Sequence, residues 1–272
     1  MPTAQVLFSR RMYDARSATY DKSWHPLHAA KYIQWARPQP GQHILDLACG
    51  TGLITLLAKQ AVGPTGTVTG VDISTSMLSV AKEKAELNVD WLDWDISDLD
   101  HARAQGKVRN DYDLIMCATA LVLLQDPAKA IAQWASLLKP GGRMITDVPT
   151  ESTQMEGFAF EEVGKQLGIE VPFCRSWASG PRCLKQRFLE AGLEIEDAWR
   201  AEGYNGGRAY QAGAAGERFD EMVEHEAWAA FREDGVRPRA RKVFIDFYEA
   251  RKGEDGMVRE EDAFYVAIGR KP

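Results

Sequence analysis

Eight residues, Leu45-Asp46-Leu47-Ala48-Cys49-Gly50-Thr51-Gly52, carry the strongest chemical signal in the chain. They follow His43-Ile44, which reads as a strand, and precede Leu53 to Ala58, whose apolar spacing is that of a buried helix. A strand, a tight glycine turn and a helix form the ligand end of a βαβ unit. Side chains must be absent where a ligand approaches the backbone, and the helix N-terminus offers free N–H groups to an anionic group. Only Gly50 and Gly52 fit the dinucleotide fingerprint Gly-x-Gly-x-x-Gly/Ala, with Thr55 where its last small residue would stand. Asp46 lies inside the strand end, where a carboxylate would repel a pyrophosphate and attract an ammonium. The pattern fits a zwitterion, one amino group and one carboxylate, better than a dinucleotide.

The elements around this turn alternate. Residues 1–42 read as helical, with Pro26 in the first turn of a helix running to about Ala36. Thr67 to Val71 is a short strand ending at Asp72, and Ser74 can cap the helix carrying Met77, Leu78, Val80, Ala81 and Ala85. Val89 to Trp94 is a third strand with Asp95-Ile96 just beyond it, and Tyr112 to Met116 is a fourth. Asp126-Pro127 starts a helix that Lys139-Pro140-Gly141-Gly142 stops, and Arg143 to Thr146 is a fifth strand. This alternation predicts an α/β fold, a doubly wound Rossmann-like sheet, with the ligand outside the carboxyl ends of the strands. That rule gathers Asp46, Asp72, Asp95 and the segment 117–120 along one crevice.

Beyond residue 147 the pattern changes. Gly157 to Leu167 and Arg182 to Ala191 read as helices, Leu193 to Trp199 as a sixth strand, and Phe264 to Ile268 as the closing strand. Two apolar stripes, Phe219 to Phe231 and Ala240 to Tyr248, lie in an insertion before that last strand. The expected organisation is an N-terminal helical lid (1–40), a cofactor-binding core (41–150), a completing segment on the substrate side (151–202), an inserted helical cap (203–261) and a closing strand (262–272). Gly203 to Gly216, rich in glycine and alanine, is the expected mobile loop.

Composition excludes several classes. The 272 residues are 45% hydrophobic and carry a formal charge of −6, so nothing provides an electrostatic nucleic-acid footprint. No apolar run approaches membrane-spanning length, and Met1 to Arg11 lack the apolar core of a signal peptide. The expected setting is the cytoplasm. Cys49 and Cys117 read as small buried residues at strand ends, and Cys174 and Cys183 have no zinc spacing, so neither a metal site nor a disulfide is expected.

At this point the ordered motifs resemble a known family. Leu45 to Gly52, Gly70-Val71-Asp72-Ile73-Ser74 with Met77-Leu78, Asp95-Ile96, Tyr112 to Ile115 and Leu138 to Gly142 resemble, in order and spacing, the motifs of class I S-adenosylmethionine-dependent methyltransferases. Tyr20-Asp21 is similar to the upstream helix of the quinone-biosynthesis C-methyltransferase type and its small-molecule relatives. The resemblance covers about residues 10–150 and the last strand. It implies a seven-stranded sheet with the last strand antiparallel, and S-adenosyl-L-methionine as cofactor. It also implies roles. Gly50, Gly52 and Ala48 would seat the methionine moiety, with Asp46 near its amino group and Tyr20 over its carboxylate end. Asp72 would take the ribose hydroxyls, Ile73 and Met77 would flank the adenine, and Asp95 with the Ile96 N–H would take the adenine amino side. Cys117 and Ala118 would line the sulfonium region.

One departure matters for the chemistry. Several such enzymes carry a histidine just after the fourth strand, where this chain has Ala120-Leu121-Val122-Leu123-Leu124. A base, if the acceptor must lose a proton, has to come from elsewhere, and His25, His28, Asp147, Tyr204 and His225 are the candidates, none with a spacing signature. The acceptor pocket is expected from residues 10–35, 148–180 and 203–250, which carry Trp24, Phe158, Phe160, Phe173, Trp177, Tyr204, Tyr210, Trp228, Phe244 and Tyr248. The preferred expectation is methyl transfer to a small, largely apolar molecule by a monomer or homodimer. A cofactor-assisted cyclisation or decarboxylation, and a non-catalytic cofactor-binding protein, stand as alternatives.

Overall fold

A computed structural model describes residues 4–84, 88–172, 175–180, 182–202 and 207–272. The chain begins with α1 (Ala4–Arg16), a 3-10 turn at Tyr20–Lys22 and α2 (His25–Ala36), then enters the alternation β1 (His43–Leu47), α3 (Leu53–Val62), β2 (Thr67–Asp72), α4 (Thr75–Lys84), β3 (Asp90–Asp93), α5 (Leu99–Ala104), β4 (Tyr112–Cys117), α6 (Pro127–Ser136) and β5 (Leu138–Pro149). Next come α7 (Met155–Leu167), α8 (Cys183–Glu190), β6 (Glu194–Glu202), β7 (Arg208–Gln211), α9 (Ala215–Met222), α10 (Arg237–Glu249), β8 (Met257–Glu260) and β9 (Ala263–Arg270).

Seven strands form one sheet in the order β3-β2-β1-β4-β5-β9-β6. β1 to β5 pair parallel, and β9 runs antiparallel between β5 and β6. The order reverses at β1 and β4, which places the ligand crevice above the ends of β1, β2 and β4. Both faces are covered, and the strands divide their apolar residues with period two. On β4, Ile115 and Cys117 join the face packed by Ile131 and Trp134 of α6. Leu114 and Met116 join the face packed by Tyr32 and Ala36 of α2 and Ile54 and Ala58 of α3. A third core lies apart from the sheet, where Phe160 of α7 stacks on Trp228 with ring centroids 4.0 Å apart and packs against Phe219, Phe231 and Phe244.

The sequence signals for the caps hold locally. Ser74 Oγ accepts from the Met77 N–H at 3.1 Å, and Asp126 accepts from the Lys129 N–H at 2.9 Å. Elsewhere the structure departs from the expectation. α5 has no counterpart in the sequence reading, because only Leu99 and Ala102 are buried on it and two apolar residues make no periodic pattern. The Lys139–Gly142 stop is absorbed into β5, where the register shifts between Tyr112 and Leu114. β6 extends to Glu202. The insertion is not purely helical: β7 and β8 pair antiparallel, and of the glycine-rich segment 203–216, residues 203–206 lie outside the described residues, Arg208–Gln211 is strand, Ala212–Ala214 a 3-10 turn and Ala215 the start of α9. Gly207 permits that pairing, since a Cβ there would lie 2.6 Å from the Glu260 carbonyl oxygen. Ala85, Phe173, Cys174 and Tyr204, each singled out in the sequence, lie outside the described residues. Among the described residues no helix is long and apolar enough to cross a membrane, and no group of three metal-ligating side chains occurs.

Gly70 of β2 sits against the outer strand, and a Cβ there would approach the Trp91 ring to 2.8 Å and Cys49 Sγ to 3.1 Å. Gly70→Ala is therefore expected to destabilise the chain by about 1–3 kcal/mol through overpacking. Urea denaturation checks this, and an unchanged midpoint would show that the Trp91 ring moves aside without cost.

Candidate active site

The glycine turn is held from below by one carboxylate. β1 ends at Leu47, and the chain then passes through three positive φ angles, 54° at Ala48, 54° at Gly50 and 80° at Gly52. The Gly50 N–H donates to Asp72 Oδ2 at 2.8 Å, and the Ser74 N–H donates to Asp72 Oδ1 at 2.8 Å. Asp72 thereby ties the turn after β1 to the turn after β2. Gly52 is required for packing, because a Cβ there would lie 2.8 Å from the Trp91 ring. Asp46, one strand residue before the turn, is buried and accepts a hydrogen bond from Thr55 Oγ1 at 2.5 Å. Burial pushes the Asp46 carboxyl up to about 7 and the Asp72 carboxyl up to about 6. Neither has a cation among its causes of shift, so both carboxyls hold their protons more tightly than in water.

A crevice runs along the strand ends from this turn. Tyr20, Ala48, Gly50, Asp72, Ile73, Asp95, Ile96 and Ala118 line it together. Asp46 lines an adjoining hollow that shares Tyr20, Ala48 and Ala118. Three expected ligand contacts do not reach either space: Met77 and Cys117 are wholly buried in the core, and Gly52 faces Trp91. Asp95 is partly engaged already, its Oδ1 accepting from the Ser97 N–H and hydroxyl, both at 2.8 Å.

The sequence reading missed one wall altogether. Gln5, Val6, Ser9 and Tyr13 of α1 line the crevice opposite the glycine turn. α1 is strapped there by Arg10, whose Nε donates to the Ile73 carbonyl at 2.6 Å, and by Asp14, which accepts from Ser74 Oγ at 2.6 Å. Thr119, Leu123 and Leu124 after β4 complete the lining. Such contacts span tens of residues and leave no local signature.

Beside the crevice opens a cavity of about 450 Å³. Its walls come from α1, the turn before α2, the residues after β4, the N-terminus of α7 and the cap; Tyr13, Tyr20, Thr119 and Leu123 border both spaces. Of the aromatic residues expected there, Trp24 and Trp228 line it; Phe160, Phe244 and Tyr248 fill the cap core instead. The candidate bases separate by position. His225 lines the cavity, with Nδ1 accepting from the Ala227 N–H at 3.1 Å. His28 and Asp147 are buried together, His28 Nε2 donating to Asp147 Oδ2 at 2.8 Å, while Asp147 Oδ1 accepts from the Thr119 N–H at 2.6 Å. Asp147 is thus spent on holding Thr119, whose φ is 54°, at the junction of crevice and cavity.

His25 borders both the cavity and the Asp46 hollow. Its ring stacks on Tyr20 with centroids 3.7 Å apart and on Trp24 at 4.3 Å. Nδ1 contacts Ser23 Oγ and lies 3.2 Å from the Tyr20 carbonyl oxygen; because the Ser23 hydroxyl donates to that same carbonyl at 2.9 Å, both partners accept from Nδ1, which carries the proton and leaves the lone pair on Nε2. Burial, reinforced by the Arg16 charge, lowers the His25 pKa to about 4, so the ring is neutral at physiological pH.

The raised carboxyls make a stability prediction. A carboxyl that titrates near 7 when folded but at its ordinary 3.8 when unfolded binds its proton more tightly in the folded chain. Folding is then favoured most below the unfolded pKa and weakens as pH rises through the folded value. The ligand-free chain should lose stability between about pH 4 and 7, and Asp46→Asn should lose less, by on the order of 1 kcal/mol or more. Denaturation midpoints at pH 5 and 8 check this, and identical pH dependence in the two proteins would overturn it.

The methyltransferase domain family matches residues 38–178. A demethylmenaquinone methyltransferase from Symbiobacterium thermophilum is 31% identical over 151 residues, which cover 53% of this chain and 60% of that protein. A ubiquinone biosynthesis O-methyltransferase from Coxiella burnetii is 38% identical over 129 residues, covering 44% of this chain and 51% of that protein. The chain thus spans about half to three fifths of the length of these curated relatives. The crystal structure of the cyclase SpnF superposes with a TM-score of 0.60 at 18% identity, covering 100% of this chain and 97% of that one, a likeness of fold alone. With its glycine turn, its seven-stranded sheet and a family match over half its length, the chain belongs to the methyltransferase domain family.

Proposed function

We propose that this chain transfers the methyl group of S-adenosylmethionine to a small, largely apolar organic acceptor held in the 450 Å³ cavity. The observation that carries this reading is the pair of buried carboxyls, Asp46 and Asp72, set along the glycine turn without a cation of their own. Such carboxyls fit a ligand that brings an ammonium to one and vicinal hydroxyls to the other. Gly50, with its free Cβ side facing Tyr20 across 3.9 Å, leaves the backbone open to the ligand's amino-acid end. When bound, the cofactor supplies a methyl already activated by a sulfonium. The names of the relatives, demethylmenaquinone and ubiquinone biosynthesis methyltransferases, support an aromatic, quinone-like acceptor.

The chain's part in the reaction is placement. Thr119 and Tyr20 stand where crevice and cavity meet, and Asp147 fixes the Thr119 backbone against His28 from inside the protein. Holding two reactants in line is worth on the order of 7–11 kcal/mol. The aromatic walls exclude water from the acceptor. His25 Nε2 offers a lone pair at the same junction and accepts a hydrogen bond from an acceptor O–H or N–H. Because the ring is neutral, it places no second positive charge beside the sulfonium.

Incubation with methyl-labelled donor and hydroxylated aromatic acceptors tests the reading: label must appear in a product, and donor binding without label transfer would overturn methyl transfer. Asp72→Ala should weaken S-adenosylhomocysteine binding by about 1.5–3 kcal/mol, measured by calorimetry. An unchanged affinity would remove Asp72 from the ribose. His25→Phe keeps the stack on Tyr20 and Trp24 and removes Nε2, so turnover should fall about tenfold or more at unchanged donor affinity. Full turnover in that variant would leave proximity as the whole of the catalysis.

A further inference from the structure

The 450 Å³ cavity is apolar over most of its wall, yet it contains an unusual concentration of positive character. Arg175 lines it and is only 3% exposed. Its Nη1 and Nη2 donate to the carbonyls of Gln154 and Thr153 at 2.9 and 2.7 Å, and its buried Nε–H has no partner. Among the described residues no carboxylate stands within ion-pair distance of this guanidinium. Glu161 is taken up by the backbone N–H groups of Arg175 and Ser176, and Glu260 by the Tyr210 hydroxyl. The guanidinium lies over the Phe158 ring at 4.2 Å, and Glu161, Glu156 and Glu260 attract it from beyond contact distance. A buried charge paired only at a distance is stabilised further by an anion that reaches it.

Two further features add to it independently. The N-terminus of α7 opens on the same cavity through Gln154, Glu156 and Gly157, and no side chain caps it. The Gly157 N–H already donates to the Gln154 carbonyl at 3.1 Å, but the partial positive charge of the helix end still favours an anion, while the Arg175 guanidinium seated beside it has the wrong sign for the helix dipole. Arg16 of α1 stands at another wall, its guanidinium over the Tyr13 and Tyr20 rings at 5.6 and 5.8 Å. The one acidic side chain of the lining is Glu156, whose carboxyl burial pushes up, away from the ionised form.

Resting on the methyl-transfer reading, we infer that the acceptor is an acid: a flat, mostly apolar molecule bearing one anionic group, which seats against Arg175 and the N-terminus of α7 while the aromatic wall takes its body. The anionic group then sets which end of the acceptor faces the junction at Thr119 and His25. An uncharged quinone ring alone would leave the guanidinium without a counter-ion.

The test uses isosteric probes on the full chain: 2-naphthoate, its neutral amide 2-naphthamide, and 2-naphthylmethylammonium, followed by quenching of tryptophan fluorescence from Trp24 and Trp228. Naphthoate should bind about tenfold or more tightly than naphthamide, as expected for a charge-assisted contact, and the ammonium should bind most weakly. Arg16→Gln, an exposed position that leaves the core untouched, should weaken naphthoate several-fold and leave naphthamide unchanged. Arg175→Gln should remove most of the preference, with Arg175→Lys restoring part of it. Equal binding of acid and amide overturns the inference, and so does tightest binding of the ammonium, which would make Glu156 the partner. S-adenosylhomocysteine titrated into the same samples reports on the donor reading separately. A chain that prefers naphthoate but does not bind the homocysteine keeps the acidic ligand and loses the methyl donor.

Discussion

Asp72 is the point through which the site is assembled. One carboxylate, at the end of β2, accepts from the Gly50 N–H on one oxygen and from the Ser74 N–H on the other. The first bond sets the pitch of the glycine turn and the second starts α4. Ser74, in turn, caps Met77 and donates to Asp14 of α1, so the covering helix is referred to the same corner. Losing that carboxylate would free the glycine turn and the start of α4 together. Its burial has an electrostatic cost that shows in the raised pKa.

A second corner is built in a related way beside the cavity. Asp147 ends the parallel part of the sheet at β5 and is wholly buried between His28 and the Thr119 N–H. A residue that lacks glycine's freedom is thereby held at a φ of 54° where crevice and cavity join. Two carboxylates on neighbouring regions of one sheet thus do related work: Asp72 gives both oxygens to backbone N–H groups, and Asp147 gives one to the Thr119 N–H and the other to His28. They differ in what faces them. Asp72 borders the ligand space, whereas Asp147 acts through Thr119 and His28.

The cavity charges follow the same logic from the opposite sign. Arg175 bridges two carbonyls at the start of α7 and leaves its charge without a contacting carboxylate. A donor that is cationic at sulfur and an acceptor that carries an acid would each meet the field that suits it, with the neutral His25 ring between them.

Local patterns in the sequence are enough to place the sheet and to bring Asp46, Gly50, Asp72, Ile73, Asp95, Ile96 and Ala118 to one edge of it. These are local facts. Apolar periodicity, glycine at positive φ and acidic residues at strand ends are written in runs of a few residues, and parallel βαβ order brings the strand ends to one side. The rest is a matter of packing. The α1 wall, the burial of Met77 and Cys117, the diversion of Asp147 into holding Thr119, the β7–β8 pairing and the placement of Arg175 without a contacting carboxylate all depend on contacts between residues far apart in the chain. Whether a side chain reaches a cavity or a core is set by what packs against it from elsewhere, and no spacing rule encodes that.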